Sequence, residues 1–279
     1  MPIIVSILKI GLVVIILFAV MLYFRQDGMI FLGAKLTPNS LKELLNRFPH
    51  SEIRLTTADG TELHGWYLRE NGDEPTPLLI YFGGNAENIV HMLFEQNHFK
   101  GYSLLLMSYR GYGLSGGKPS QKTLCNDALF LYDHFSAKPE IDASRILPMG
   151  RSLGSGVAVY LASKRNVEGV VLISPYDSMT SLAKEFYPWL PATLLLKHPF
   201  DSLTLVPSIK APLLTIIGSH DNIITPQRSK VLVQAWGGKT RLVEIEGVGH
   251  NELGDQQRFW DAIEGFIEDP AGICQTESG

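Results

Sequence analysis

The chain has 279 residues, 45% of them hydrophobic, and 24 Lys and Arg against 28 Asp and Glu give a formal net charge of −4. That is enough apolar chain for one large α/β domain, and the lack of a basic stripe excludes nucleic acid as a partner. Two widely separated cysteines, Cys125 and Cys274, exclude a disulfide framework and a cysteine zinc cluster.

In chain order, Ile3 to Phe24 is apolar apart from Ser6 and Lys9. At about 1.5 Å per residue, a helix of this length crosses a hydrocarbon core about 30 Å thick. Arg25, Gln26 and Asp27 close the apolar run, and Tyr23 stands where an interfacial aromatic is expected. A cleaved signal peptide should have a shorter apolar region ending in small residues. Ala19-Val20-Met21-Leu22-Tyr23-Phe24 is a poor site of that kind. The expectation is a retained single-pass membrane anchor over residues 1–25. Lys9 on one flank and Arg25 and Lys35 on the other set no orientation.

Residues 26–50 read as a juxtamembrane connector, with Leu41, Leu44, Leu45 and Phe48 on one helical face. The main domain is expected over 51–270 and a flexible tail over 271–279. Residues 53–56 and 62–68 flank Asp59-Gly60 as a β-hairpin. Strands and helices then alternate. Strands are expected at 78–82, 103–108, 144–149, 169–174, 213–218 and 241–245. Helices are expected at 86–99, 120–137, after Ser152, after Pro226, and at 252–268. Apolar strands alternating with helices imply a mostly parallel sheet covered on both faces. The hairpin adds antiparallel strands at one edge.

Gly150-Arg151-Ser152-Leu153-Gly154 reads G-x-S-x-G between a strand and a helix. In that setting the serine is forced onto a cramped turn with its hydroxyl at the end of the sheet. The plainer reading is a helix N-cap serine. A nucleophilic serine needs a base. His250, in Gly247-Val248-Gly249-His250, follows a strand and is the expected base; His64 and His220 are weaker competitors. The base needs a carboxylate to orient it. Asp221, in the loop after 213–218, is the expected one, with Asp177 and Asp201 as alternatives that could equally be turn or cap residues. Ser152, Asp221, His250 is the Ser–acid–His chain order of a nucleophile-elbow enzyme. For the oxyanion, the backbone N–H of Leu153 and that of Asn85, in Gly83-Gly84-Asn85, are the expected donors, with Gly84 as a near alternative to Asn85.

These stretches together resemble an α/β-hydrolase-fold serine hydrolase over residues 51–268. The matching segments are Tyr81-Phe82-Gly83-Gly84-Asn85-Ala86-Glu87-Asn88, Tyr109 to Ser120, Gly150 to Gly154, Gly218 to Asp221 and Gly249-His250. The chain is most similar to membrane-anchored hydrolases with a short N-terminal helix, whose eukaryotic members include lipid and acyl-thioester hydrolases. Many of these relatives have His-Gly-Asn where this chain has Gly83-Gly84-Asn85. The resemblance implies an α/β-hydrolase fold and cleavage of ester or thioester bonds in an apolar acyl or lipid-like small molecule. It calls for no metal and no cofactor.

Two other functional classes stay open at this point: a serine peptidase, and a membrane-tethered interaction module without turnover. The glycines of Tyr109 to Gly117 form neither a complete phosphate-binding loop nor a complete dinucleotide fingerprint. Arg110 is expected in a structural ion pair, with contact to an anionic substrate as the alternative. The segment 175–210 is rich in apolar residues, among them Phe186, Tyr187, Trp189, Leu190, Leu194 and Phe200, and is broken by Pro188, Pro191 and Pro199. It reads as a lid-like insert over the site or as ordinary core.

Overall fold

A computed structural model describes residues 2–70, 72–189 and 191–272. The expected tail beyond residue 272, with Cys274, and Leu190 of the insert lie outside the described residues. The elements in order are helix α1 (Pro2–Ile30), α2 (Pro38–Arg47), strands β1 (Glu52–Thr56), β2 (Glu62–Leu68), β3 (Thr76–Phe82) and β4 (Ser103–Met107), α3 (Gln121–Ser136), β5 (Ile141–Arg151), α4 (Leu153–Ala162), β6 (Val170–Ile173), α5 (Met179–Phe186), α6 (Ala192–Leu195), β7 (Leu213–Gly218), α7 (Pro226–Ala235), β8 (Thr240–Ile245) and α8 (Gln257–Glu268).

One sheet of eight strands runs β1-β2-β4-β3-β5-β6-β7-β8. The β1–β2 hairpin and the β2–β4 pairing are antiparallel, and every pairing from β4 to β8 is parallel. Alternation along β3 sends Leu78, Ile80 and Phe82 to one core and Leu79 and Tyr81 to the other. All seven β3 residues are buried, as a strand covered on both faces requires. Leu124 and Leu131 of α3 and Val157 and Leu161 of α4 fill the first core; Leu44 of α2 and Phe259, Ile263 and Phe266 of α8 fill the second.

Two local differences from the sequence expectations have physical causes. Residues 86–99 form not one helix but two 3-10 turns, Ile89–Leu93 and Gln96–Phe99. Ile89, Met92 and Leu93 bury at spacings of three and four, which a three-residue turn also serves. Ala86 sits at φ 58° and Asn88 caps Val90, so the chain enters this stretch from a turn. At the N-terminus, α1 does not stop with the apolar run at Phe24 but continues to Ile30. In α2, Leu44 and Phe48 are buried while Leu45 is exposed, so only part of the expected apolar face docks.

Candidate active site

Ser152 lies between β5 and α4 with φ 50° and ψ −115°. A non-glycine residue in that region is strained, and such strain concentrates at functional turns. Gly150 and Gly154 make the turn possible. A Cβ on Gly150 would collide with the Gly154 carbonyl and with Ala158, and one on Gly154 would strike the Phe82 carbonyl. Ser152 is held through its backbone, its N–H donating to the Ile173 carbonyl at 2.9 Å. It occupies the N-cap position of α4, yet its side chain makes no capping hydrogen bond, which removes the plain N-cap reading.

The loops after β7 and β8 are laced together. Ser219 N–H donates to the Ile245 carbonyl at 3.0 Å and His220 N–H to the Val248 carbonyl at 2.9 Å. Gly247 N–H donates to Ser219 Oγ at 2.9 Å. This lacing sets Asp221 Oδ2 2.7 Å from His250 Nδ1, with the two residues 4% and 7% exposed. Oδ1 of the same carboxylate accepts from Ile223 N–H at 3.0 Å and Ile224 N–H at 2.8 Å. Burial pushes the Asp221 pKa up, but the His250 hydrogen bond and charge and the Ile224 N–H outweigh it, and the carboxyl sits below its ordinary range. The elbow is joined to the histidine loop through Arg151, whose Nη2 donates to the His250 carbonyl at 3.3 Å and to Asn251 Oδ1 at 2.9 Å.

The other candidates are engaged elsewhere. Asp177 accepts from Ser178 N–H at 2.8 Å and pairs with Arg228 at 3.2 Å. Asp201 closes a turn by accepting from Thr204 N–H. His64 is buried against Glu52 on the hairpin, at 2.9 Å. His220 is exposed. Arg110 is buried and holds Asp127 through two bonds of 2.8 Å and Asp59 through one of 2.5 Å, so it ties the hairpin turn to α3.

Gly84 N–H donates to Glu87 Oε2 at 2.6 Å, so this donor is already occupied. The Asn85 N–H has no protein acceptor among the described residues. Leu153 is the first residue of α4, where an N–H has no acceptor within the helix. The Asn85 side chain serves another purpose. Its Oδ1 accepts from Leu32 N–H at 2.7 Å and from Tyr112 Oη at 3.2 Å, and Nδ2 donates to the Met29 carbonyl at 3.5 Å.

Two residues that the sequence reading left unassigned sit at the centre of this arrangement. Glu87 accepts from Gly84 N–H, from Tyr81 Oη at 2.5 Å and from Arg151 Nη1 at 3.0 Å. A charged residue in the variable position of an otherwise apolar elbow was the available signal, because a charge there needs a partner. Among the described residues no group of His, Cys, Asp and Glu could hold a metal ion. A cleft of about 740 Å³ lined by Tyr132, Arg165, Asn166 and Lys210 contains none of the residues above.

No family model matches the chain. An uncharacterized protein of Mycobacterium tuberculosis is 36% identical over 228 residues, covering 80% of this chain and 81% of that protein. The α/β-hydrolase domain-containing protein WAV2 of Arabidopsis thaliana is 30% identical over 243 residues, covering 78% and 79%. An uncharacterized membrane protein of Saccharomyces cerevisiae is 30% identical over 228 residues, covering 78% and 80%. Among solved structures, an acetyl xylan esterase from Paenibacillus sp. R4 superposes with a TM-score of 0.65 at 19% identity, over 87% of this chain and 98% of that one. An esterase of Pyrococcus furiosus gives 0.62 at 20% identity, over 85% and 97%.

Proposed function

This chain belongs to the α/β-hydrolase family, and on that premise we propose that it is a serine hydrolase of carboxylic ester or thioester bonds. Ser152 is the nucleophile, His250 the base and Asp221 the orienting acid. As Ser152 Oγ attacks the acyl carbonyl, its proton passes to His250 Nε2. The N–H groups of Leu153 and Asn85 take the developing oxyanion. Asp221 fixes the ring through Nδ1 and stabilises the imidazolium. His250 then protonates the leaving oxygen or sulfur, and an acyl-enzyme remains. Water, deprotonated by His250, attacks the acyl-enzyme, and the acid departs with Ser152 restored.

The observation that carries the reading is the buried 2.7 Å contact between Asp221 and His250, on a loop bound to the strained elbow of Ser152. Esterase names among the structural neighbours point the same way.

The protein acts at a membrane, held by α1 as a retained single-pass anchor. Residues Ile3–Ile30 have a mean hydropathy of 3.0 over the most apolar stretch, sufficient to cross a bilayer. The helix is unbroken from there into contacts with the domain, where Gln26 and Phe31 are buried. The yeast relative is named as a membrane protein.

The test is labelling of the full-length protein, in detergent, by a fluorophosphonate probe. Wild type should label and Ser152→Ala should not, and only wild type should hydrolyse p-nitrophenyl esters or acyl thioesters. Equal labelling of the two folded proteins overturns the assignment.

A further inference from the structure

The last three turns of α1 bring Leu22, Gln26, Met29 and Ile30 onto one face, at helical spacing. Facing them across a cavity of about 130 Å³ are Ala183 and Tyr187 at the end of α5 and Leu195 and Leu196 at the end of α6. The wall is apolar. The amide of Gln26 is already spent: Nε2 donates to the carbonyls of Tyr23 at 2.9 Å and Leu195 at 3.0 Å, and Oε1 accepts from Lys197 N–H at 2.8 Å. An open apolar groove of this kind offers water few partners and suits hydrocarbon.

Position decides which hydrocarbon. Leu22 is still inside the apolar run that spans the bilayer, and Arg25 and Asp27 mark where that run meets water. The Leu22 end of the groove therefore lies at the level where the anchor helix leaves the membrane. The other end, at Met29 and Ile30, adjoins the loop that carries Asn85, through the bonds from Leu32 N–H to Asn85 Oδ1 and from Asn85 Nδ2 to the Met29 carbonyl. The insert also leans on the span. Trp189 and Phe18 have ring centroids 5.6 Å apart, and Phe186, Trp189 and Leu194 are each more than half exposed. Large apolar side chains beside a membrane helix belong in the lipid boundary rather than in water.

We propose that the cavity between α1 and the insert binds the acyl chain of a lipid drawn directly from the bilayer, and leads the ester-bearing end toward Asn85 and Ser152. This rests on the hydrolase reading above and adds a substrate class to it: a membrane lipid rather than a water-borne ester. The anchor helix is then one wall of the substrate site as well as a tether.

Two measurements on the full-length protein in phosphatidylcholine vesicles test it. In the first, the Ser152→Ala variant is irradiated with a phosphatidylcholine that carries a diazirine at the end of one acyl chain. Adducts should map to Tyr187, Leu195 or Leu196, and Ala183→Trp on the same background should cut them at least fivefold. Adducts confined to the outer surface of residues 3–21, or unaffected by Ala183→Trp, overturn the proposal. In the second, kcat/KM is measured for p-nitrophenyl esters of two and twelve carbons. The ratio of long to short should fall about tenfold or more in Ala183→Trp, as expected when two methylenes lose their burial. An unchanged ratio overturns the proposal. If wild type hydrolyses neither ester but cross-links as described, the hydrolase reading fails and the acyl site stands.

Discussion

Arg151 Nη1 lies 3.0 Å from Glu87 Oε2, and through this pair the residue before the elbow serine is bound to the loop that offers Asn85. The same guanidinium reaches the His250 carbonyl, so one side chain spans the Asn85 loop, the elbow and the histidine loop. Glu87 in turn holds the Gly84 N–H and the Tyr81 hydroxyl. Neither side chain is among the reacting groups proposed; both are positioning residues. Removing the carboxylate leaves a backbone N–H and a phenol without an acceptor, at a cost of about 1–3 kcal/mol. Glu87→Ala should lower both stability and kcat, kcat by about 10–100-fold, with KM for a short ester little changed. Glu87→Gln, whose oxygen can still accept from Gly84, should recover part of the loss. Urea unfolding and steady-state kinetics check both, and a KM effect without a kcat effect rejects the positioning role.

Asp221→Asn tests the orienting acid. The amide can still accept from Ile223 and Ile224, so the fold should persist. It cannot stabilise an imidazolium, and it favours the wrong tautomer of His250. By analogy with the serine proteases, kcat should fall by about 10⁴. Circular dichroism and ester turnover at pH 7.5 measure the two effects. Turnover within tenfold of wild type would move the acid role elsewhere, with Asp177 the next residue to test.

The strained turn at Ser152 and the meeting of Asp221 with His250 were legible in the sequence because the elbow geometry has a strict local grammar. A serine on a left-handed turn needs small neighbours, and a strand end followed by a glycine-rich loop is the place where a sheet delivers a histidine. The parallel order of the strands followed from the same apolar runs. The Glu87–Arg151 pair was not legible, since its members lie 64 residues apart and occupy positions that the motifs leave free. The joining of α1 to the insert was hidden for the same reason. Gln26 and Leu195 are 169 residues apart, and nothing in a run of leucines says which face will meet an insert. The 86–99 segment departs from the expected helix because buried residues three and four apart fit a 3-10 turn as well as an α-helix.

The elbow glycines are a steric matter. Gly154→Ala would set a methyl group against the carbonyls of Phe82 and Gly83, and backbone atoms cannot swing aside as a side chain can. Overpacking of this kind costs about 1–3 kcal/mol. Because relief requires β3 and α4 to separate, the elbow and the Asn85 loop should part with them. The expected result is a lower urea midpoint together with a loss of fluorophosphonate reactivity. Wild-type reactivity in a stable Gly154→Ala protein would show that the turn tolerates a Cβ.

Cys125 is buried in α3, and desolvation pushes its thiol up to about 12. Since only the thiolate reacts, iodoacetamide at pH 8 should leave Cys125 unmodified in folded protein and alkylate it in urea. The measurement is made in a Cys274→Ser background so that a single thiol is followed by mass spectrometry. Rapid alkylation without denaturant would mean that α3 opens readily.

His64 gives a pH dependence of definite sign. It is 1% exposed on β2, and burial lowers its pKa; the hydrogen bond and charge of Glu52 oppose that shift, with Arg54 and Glu62 acting in opposite directions, and burial wins. A histidine whose folded pKa lies below its unfolded pKa binds fewer protons when folded. Its contribution to stability is therefore complete above the unfolded value, about 6.5, and is lost as pH falls through the lower folded value. Every other titrating group is common to wild type and to a His64 variant, so the difference between the two proteins from pH 7.5 to 5.5 isolates His64. His134 shifts in the same direction but is common to wild type and variant, and cancels when the two are compared. The urea midpoint of wild type should fall more between pH 7.5 and 5.5 than that of His64→Gln, whose side chain can still bond Glu52 but carries no titrating group. An equal fall in both proteins would show that His64 takes up its proton without cost, and that the Glu52 carboxylate, not burial, governs the site.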